Sequence, residues 1–281
     1  MKIPMWAHFL LIISAIAVVI LCTLLPFLPG PYDPLALPLS MMARVAGFFS
    51  LLFAPIGVLW MASRYSRVLA AKQHTLAVAA LSVLSLVWAT VSLAAFALGS
   101  LLLALLCLAL GVYVVVSVKP RLKGLKMAPT STAAPALYFL VVPVAVFLLQ
   151  QVVLEPAVQF SRNRAMNNSA QLISDIQQYR AARGHYPPSL LSVNKDYKPG
   201  VIGIEKFHYE PSGDAFNLLF EQPASPLGTQ EFVVYNPRGE QTATSHAMDI
   251  LQYTPQTLER ARGYYAMHDV PHTRWKYFWF D

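Results

Sequence analysis

Acidic residues are almost missing from the first 154 residues of this 281-residue chain. Of its fourteen Asp and Glu residues, only Asp33 lies in that part. The same part holds nine Lys and Arg residues, so it carries a net charge of +8, whereas residues 155–281 carry −1. This positive charge belongs to short loops beside apolar runs, where it sets membrane orientation. The overall charge of +7 is therefore not the footprint of a nucleic-acid-binding surface, and we expect no nucleic-acid partner.

Cysteine and charge are scarce as well. The two cysteines, Cys22 and Cys107, both fall inside apolar runs, and the polar part of the chain has none. A disulfide framework is therefore excluded there, which argues against a small stapled secreted domain. Charged residues make up 12% of the chain, far below the soluble average of about 25%, and hydrophobic residues make up 56%.

Five apolar runs are each near the ~20 residues needed to cross a bilayer. They cover residues 6–28, 43–63, 75–96, 101–118 and 136–154. The first run exceeds the apolar core of about 7–15 residues in a signal peptide, so we interpret it as a retained helix. Residues 30–40 read as a loop, and Gly99 and Ser100 as a tight turn between the third and fourth spans.

The distribution of Lys and Arg predicts the orientation of these spans. With the N-terminus in the cytoplasm, all basic residues of this part except Arg44 fall on the cytoplasmic side: Lys2, Arg64, Arg67, Lys72, Lys119, Arg121, Lys123 and Lys126. This bias predicts a multi-pass protein of the bacterial inner (plasma) membrane, with a cytoplasmic N-terminus and a periplasmic C-terminus. The predicted domains are a four-helix membrane region (1–135), a fifth transmembrane helix (136–154) and an extracytoplasmic α+β domain (155–281).

None of the five runs contains Asp or Glu, the groups that ion and proton pathways commonly bury. Pro55 and Pro143 could mark the broken helices of a transporter, but a lone proline is more often a tolerated kink. The sequence therefore favours an anchor or helix-packing role for the bundle, with a small-molecule transporter or channel subunit as the alternative.

Residues 155–183 predict an amphipathic helix. Met166, Ala170, Ile173 and Ile176 form one apolar stripe with Leu172 and Tyr179 beside it, and Gly184 is placed to cap the helix C-terminus. Helical patterning continues from residue 144 to residue 183 with Pro156 as the one proline in between, so this helix and the fifth span are predicted to form one rod.

Alternating apolar residues after the helix predict an antiparallel sheet. Strands are expected at 207–209 and 216–220, on the two sides of a four-residue turn at 211–214. Further strands are expected at 232–235 and 240–245, with a short helix opening at Pro255. A last strand covers 274–281, with Trp275, Tyr277 and Trp279 on one face. The aromatic residues near the C-terminus either pack in the core or form a partner surface, for which the candidates are Tyr264, Tyr265, Trp275, Tyr277 and Trp279.

The junction of helix and sheet is similar to a known family. The segment that carries the resemblance is Gln178-Tyr179-Arg180-Ala181-Ala182-Arg183-Gly184-His185-Tyr186-Pro187-Pro188-Ser189-Leu190, which follows a membrane helix that leads into an amphipathic helix. Over about residues 136–220 this arrangement resembles the type IV pilin and type II secretion pseudopilin superfamily. The resemblance implies a long helix packed on a small sheet. The family's N-terminal processing signal is absent, so the resemblance implies a shape rather than filament assembly.

Candidate chemistry is sparse in this sequence. His268, Asp269 and His272 could supply metal ligands, but a zinc site needs further support that the sequence does not offer. Glu205 and Glu210 are interpreted as the solvated face of a hairpin, and no nucleophile–base arrangement, metal site or cofactor motif stands out. We therefore expect a non-enzymatic protein in which the bundle anchors an outward domain for envelope assembly, scaffolding or contact with another envelope protein or a second copy.

Overall fold

The chain forms two compact units. In the computed structural model, residues 4–63, 65–124, 134–193, 196–212, 214–239 and 267–280 are described. The first unit, here called the helical unit, comprises Met1–Leu25 and Leu35–Leu154. The second, called the sheet unit, comprises Pro26–Pro34 and Glu155–Asp281. The chain therefore enters the sheet unit twice, first between the first two helices and again from Glu155 onward.

The helical unit is built from long apolar helices. They are α1 (Met5–Leu24), α2 (Ala36–Ser50), α3 (Phe53–Ala62), the short α4 (Arg67–Ala71), α5 (Gln73–Ala97), α6 (Leu101–Gly124) and the first part of α7 (Ala134–Asn168). Among the residues that the structure describes, four helical stretches are long and apolar enough to cross a membrane: Met5–Phe27, Gln73–Ala97, Leu101–Val118 and Pro135–Arg183. The predicted turn between α5 and α6 is confirmed, with Gly99 at φ +75°.

The predicted second span, residues 43–63, is two helices rather than one. The axes of α2 and α3 differ by 41° across a break at Leu51 and Leu52. Pro55 lies in the first turn of α3, where the missing N–H of proline is tolerated. If α2 and α3 formed one continuous helix, Pro55 would have no N–H to donate to the carbonyl of Leu51. The predicted loop at residues 30–40 is also too long, because α2 already begins at Ala36.

The sheet unit packs the end of α7 and helix α8 (Ala170–Arg183) on one antiparallel sheet. Its strands are β1 (His208–Ser212), β2 (Ala215–Pro223), β3 (Gln230–Tyr235), β4 (Met267–Asp269) and β5 (Trp275–Phe280), in the order β1-β2-β3-β5-β4. Leu172 and Ile176 from α8 pack in one core with Phe216, Phe220 and Val233 from the sheet. The strands predicted around residues 207–209, 216–220, 232–235 and 274–281 are confirmed.

The first hairpin turn is shorter than predicted. Ser212 pairs directly with Ala215, so two residues rather than four connect β1 and β2. A two-residue connection suits the twist of paired strands, and Gly with Asp is a common choice for it. The predicted strand at 240–245 and the helix opening at Pro255 lie outside the described residues.

The apolar face of the long helix is shifted from the predicted one. Ala170 is exposed, and Leu172 takes its place on the buried face together with Met166 and Ile176. The predicted rod is interrupted only at Ser169, whose hydroxyl donates to the carbonyl of Met166 at 2.6 Å. The predicted cap is confirmed, since Gly184 adopts φ +79° and its N–H donates to Arg180 O at 2.8 Å.

Candidate functional site

A row of polar side chains crosses the sheet unit on the face that α7 covers. The strand register places Gln222 of β2, Glu231 of β3 and Trp279 of β5 side by side. Arg162 and Ser161 approach the row from α7. Glu231 is fully buried and Arg162 is 5% exposed, so an ion pair lies within the protein interior.

The carboxylate of Glu231 accepts four hydrogen bonds. Arg162 donates from Nε to Oε1 and from Nη2 to Oε2, each at 2.7 Å. Gln222 Nε2 donates to Oε1 at 2.8 Å, and Trp279 Nε1 donates to Oε2 at 3.1 Å. An ionised carboxylate has about four acceptor positions. Glu231 is therefore saturated by donors from one helix and two neighbouring strands.

Gln222 extends the network to the backbone of α7. Ser161 Oγ donates to Gln222 Oε1 at 2.6 Å, and Gln222 Nε2 also donates to the carbonyl of Val158 at 3.3 Å. Buried polar groups need such partners, because an unpaired one costs about 1–3 kcal/mol. The network thus fixes the rotation of α7 about its axis and its position along the sheet.

Aromatic rings flank the ion pair. The guanidinium carbon of Arg162 lies 3.7 Å from the ring centroid of Tyr277. The ring of His268 lies 4.6 Å from both Tyr277 and Trp279, nearly parallel to Tyr277. Burial raises the pKa of the Tyr277 hydroxyl, although the nearby Arg162 cation opposes this rise. The tyrosine is therefore neutral at physiological pH and acts as a packing and cation–π partner.

The predicted partner surface is largely occupied inside the sheet unit. Trp275, Tyr277 and Trp279 do share one face, but it is the face that the helices cover. Trp275 is buried in the core, so it contributes to no exposed surface, and Tyr277 and Trp279 are half-buried in the cluster around Arg162. Tyr264 and Tyr265 lie outside the described residues.

The three candidate metal ligands point to other partners. His268 stacks on Tyr277, His272 Nε2 lies 2.9 Å from Asn167 Oδ1, and Asp269 lies 3.8 Å from Lys276 Nζ. Within the part of the chain that the structure describes, no group of three or more His, Cys, Asp or Glu side chains could hold a metal ion.

Glu210 differs from its sequence interpretation. It was expected on a solvated hairpin face with Glu205, yet its Oε2 atom is buried and has no hydrogen-bond partner among the described residues. Burial raises the pKa of this carboxyl group. Glu205 is exposed as expected.

A second polar cluster lies inside the helical unit. Gln150 of α7 donates from Nε2 to Thr23 Oγ1 at 2.9 Å and to the carbonyl of Ala43 at 3.0 Å. Ser40 Oγ of α2 donates to the carbonyl of Thr23 at 2.7 Å. Arg44, one turn further along α2, is also buried. These contacts join α1, α2 and α7, because a polar side chain in an apolar bundle is stabilised by an interhelical partner.

The residues Pro26–Pro34, here called the strap, form a further feature of the sheet unit. Four backbone hydrogen bonds and an antiparallel bridge between Pro29 and Val201 hold the strap against residues 200–203. The sequence interpretation placed these residues in a loop of the membrane region. A run of prolines and glycines carries no apolar periodicity, so its pairing with a segment about 170 residues later has no local signal.

The ion pair was also missed in the sequence. The one available signal was the two-residue period of β3, which places Glu231 on the same side as Val233 and Tyr235. No family model, curated protein or solved structure matches this chain.

Proposed function

We propose that this chain is a five-span bacterial inner-membrane protein whose pilin-like sheet unit lies in the periplasm and contacts another envelope protein or a second copy. In this proposal the sheet unit has a non-catalytic role in envelope assembly or scaffolding. The N-terminus is cytoplasmic, as the distribution of Lys and Arg favours.

The strap supports the count of five spans. Because Pro26–Pro34 and the residues from Glu155 onward belong to one folded unit, they must lie on the same side of a membrane. The chain between Pro34 and Glu155 must then cross the membrane an even number of times. With helices α5, α6 and α7 taken as three crossings, the proposal makes the bent pair α2–α3 one further crossing. A re-entrant α2–α3 pair would place the strap and its partner on opposite sides.

The hydrogen-bonding state of Glu231 supports a non-catalytic role for the polar row. A general acid, a general base or a nucleophile needs a free position toward its substrate. All four acceptor positions of Glu231 are occupied by Arg162, Gln222 and Trp279. This network is suited to holding a fixed surface rather than to performing a reaction.

The assembly role is tested by isolating the full-length protein in mild detergent after brief lysine-directed crosslinking in intact cells. We expect a discrete complex of defined mass in which the sheet unit carries the crosslinks. A strictly monomeric protein with no crosslinked species would contradict the proposal.

The break between α2 and α3, together with buried Arg44, favours a transporter or channel subunit as a second candidate. Broken helices expose backbone groups that can line a substrate path. In this case the reconstituted protein should make liposomes permeable to a small anion such as chloride, and Arg44→Gln should remove that permeability. Liposomes that stay impermeable to chloride would argue against this anion-conducting role.

A further inference from the structure

The strap is held by its backbone rather than by a few side chains. Gly30 N–H donates to Gly200 O at 3.2 Å, and Asp33 N–H donates to Ile202 O at 3.0 Å. In the other direction, Ile202 N–H donates to Leu28 O at 2.9 Å. Gly203 N–H donates to Pro26 O at 2.8 Å. The strap thus forms a short irregular ribbon with residues 200–203, with one antiparallel bridge at Pro29 and Val201. The first two strap residues belong to a 3-10 helix, Leu25–Phe27.

Close packing at Gly203 makes this pairing specific. A Cβ atom at position 203 would lie 2.5 Å from Pro26 Cβ and 2.6 Å from the Pro26 carbonyl oxygen. Because one of these atoms belongs to the backbone, a side chain at position 203 would force the two segments apart. Phe27, next to Pro26, is 1% exposed, so the start of the strap is anchored within folded protein.

The partner segment is itself fixed to the core of the sheet unit. Val201 and Ile204 belong to the hydrophobic core. The carbonyl of Gly200 accepts from Arg164 Nε of α7 at 3.0 Å as well as from Gly30 of the strap. Asn168, one turn further along α7, donates to Pro199 O at 2.6 Å. A continuous set of contacts therefore runs from α7 through residues 199–203 to the strap.

We propose that the strap is the coupling element through which the sheet unit acts on the first two long helices. Only Leu25 separates α1 from the strap, and only Leu35 separates the strap from α2. A partner that displaces residues 199–203, or that applies a load to the sheet unit, acts through this backbone on the end of α1 and the start of α2. This coupling goes beyond the proposed assembly role, and it does not depend on which partner the sheet unit binds.

Hydrogen exchange of the full-length protein in lipid nanodiscs tests the coupling. Gly203→Ala should open the ribbon and speed exchange in the strap by about tenfold or more, and it should also speed exchange at the end of α1 and the start of α2. Gly228→Ala is the matched control, because its Cβ would meet no atom within 4 Å while its φ of +88° strains the turn between β2 and β3. Faster exchange in the control should stay near that turn.

Two results would overturn the coupling. One is a strap that exchanges freely in the unaltered protein. The other is a strap that opens in Gly203→Ala while α1 and α2 keep their original exchange rates. The crosslinking experiment tests the assembly role and hydrogen exchange tests the coupling, so a negative result in one does not decide the other.

A disulfide provides a second test that does not require Gly203→Ala to fold. Bridge partners in antiparallel pairs have Cα separations that suit a disulfide, so Pro29→Cys with Val201→Cys should form one in a Cys22→Ala, Cys107→Ala background. The oxidised protein should show slower exchange at the end of α1 and the start of α2 than the same protein after reduction. The absence of the disulfide, or equal exchange in both states, would contradict the coupling.

Discussion

Glu231 accepts hydrogen bonds from α7, β2 and β5 on one buried carboxylate. A buried ion pair of this kind adds little net stability compared with apolar residues of the same size. Removing one partner is different, because the other charge is then left in an apolar interior. The pair therefore specifies one placement of α7 on the sheet.

Replacement of Glu231 alone should destabilise the sheet unit strongly. For Glu231→Ala we expect a loss of about 3–5 kcal/mol, because Arg162 then remains buried without its counter-charge. Urea-dependent pulse proteolysis of the full-length protein in detergent measures this change. The control is Asp214→Ala, which removes the exposed ion pair with Arg238 and should cost about 0–1 kcal/mol. Similar losses in both variants would show that the buried pair has no special role.

Glu210 gives a pH-dependent prediction. Burial raises the pKa of its carboxyl group above the usual 4.5, so folding favours the protonated form and the ionised form is penalised. This penalty is present at neutral pH and disappears as the pH falls below the unfolded value. Glu210→Gln should therefore stabilise the sheet unit at pH 7 and have little effect once the pH is well below 4.5, where the carboxyl is protonated in both states. Pulse proteolysis at both pH values checks this, and a gain that is independent of pH would contradict the explanation.

Single residues of the site were only partly predictable from the sequence. The alternation in 274–281 correctly placed Trp275, Tyr277 and Trp279 on one face. It could not tell which face the helices cover, because aromatic residues occupy both faces of that strand. Arg162 and Glu231 lie 69 residues apart, and such long-range pairing has no local signature in one sequence.

At the scale of elements, the contact between α3 and α7 depends on a small residue. A Cβ atom at Gly57 would lie 3.0 Å from both Leu140 N and the carbonyl carbon of Phe139 in the backbone of α7. Helices in an apolar bundle gain their attraction from such close approach. The sequence showed Gly57 within an apolar run but not which helix it meets.

Gly57→Ala should separate these two helices. We expect a loss of about 1–2 kcal/mol, because the added methyl group meets backbone atoms that cannot rotate away. Thermal denaturation of the full-length protein in detergent, followed by size-exclusion chromatography of a fluorescent fusion, measures this loss. Leu102→Ala is the control, since Leu102 is 74% exposed on α6 and should change the melting temperature little. Equal shifts for both variants would exclude a tight α3–α7 contact.

At the scale of the whole molecule, strong local patterns were predicted well and contacts between distant segments were not. Long apolar runs, the glycine cap of α8 and the alternating strands each carry a period or a breaker that one sequence reveals. The bend between α2 and α3 was not predicted, because both helices are uniformly apolar. The pairing of the strap with residues 200–203 was not predicted, because its hydrogen bonds come from backbone groups, which no side-chain pattern reports.

The proposed topology places the strap and the rest of the sheet unit together in the periplasm of a five-span protein. Reporter fusions at residue 126 and at residue 281 test it most directly, with green fluorescent protein active in the cytoplasm and alkaline phosphatase active in the periplasm. We predict fluorescence at residue 126 and phosphatase activity at residue 281. The reverse pattern, phosphatase activity at residue 126 and fluorescence at residue 281, would indicate a re-entrant α2–α3 pair or the opposite orientation, and either would contradict the account.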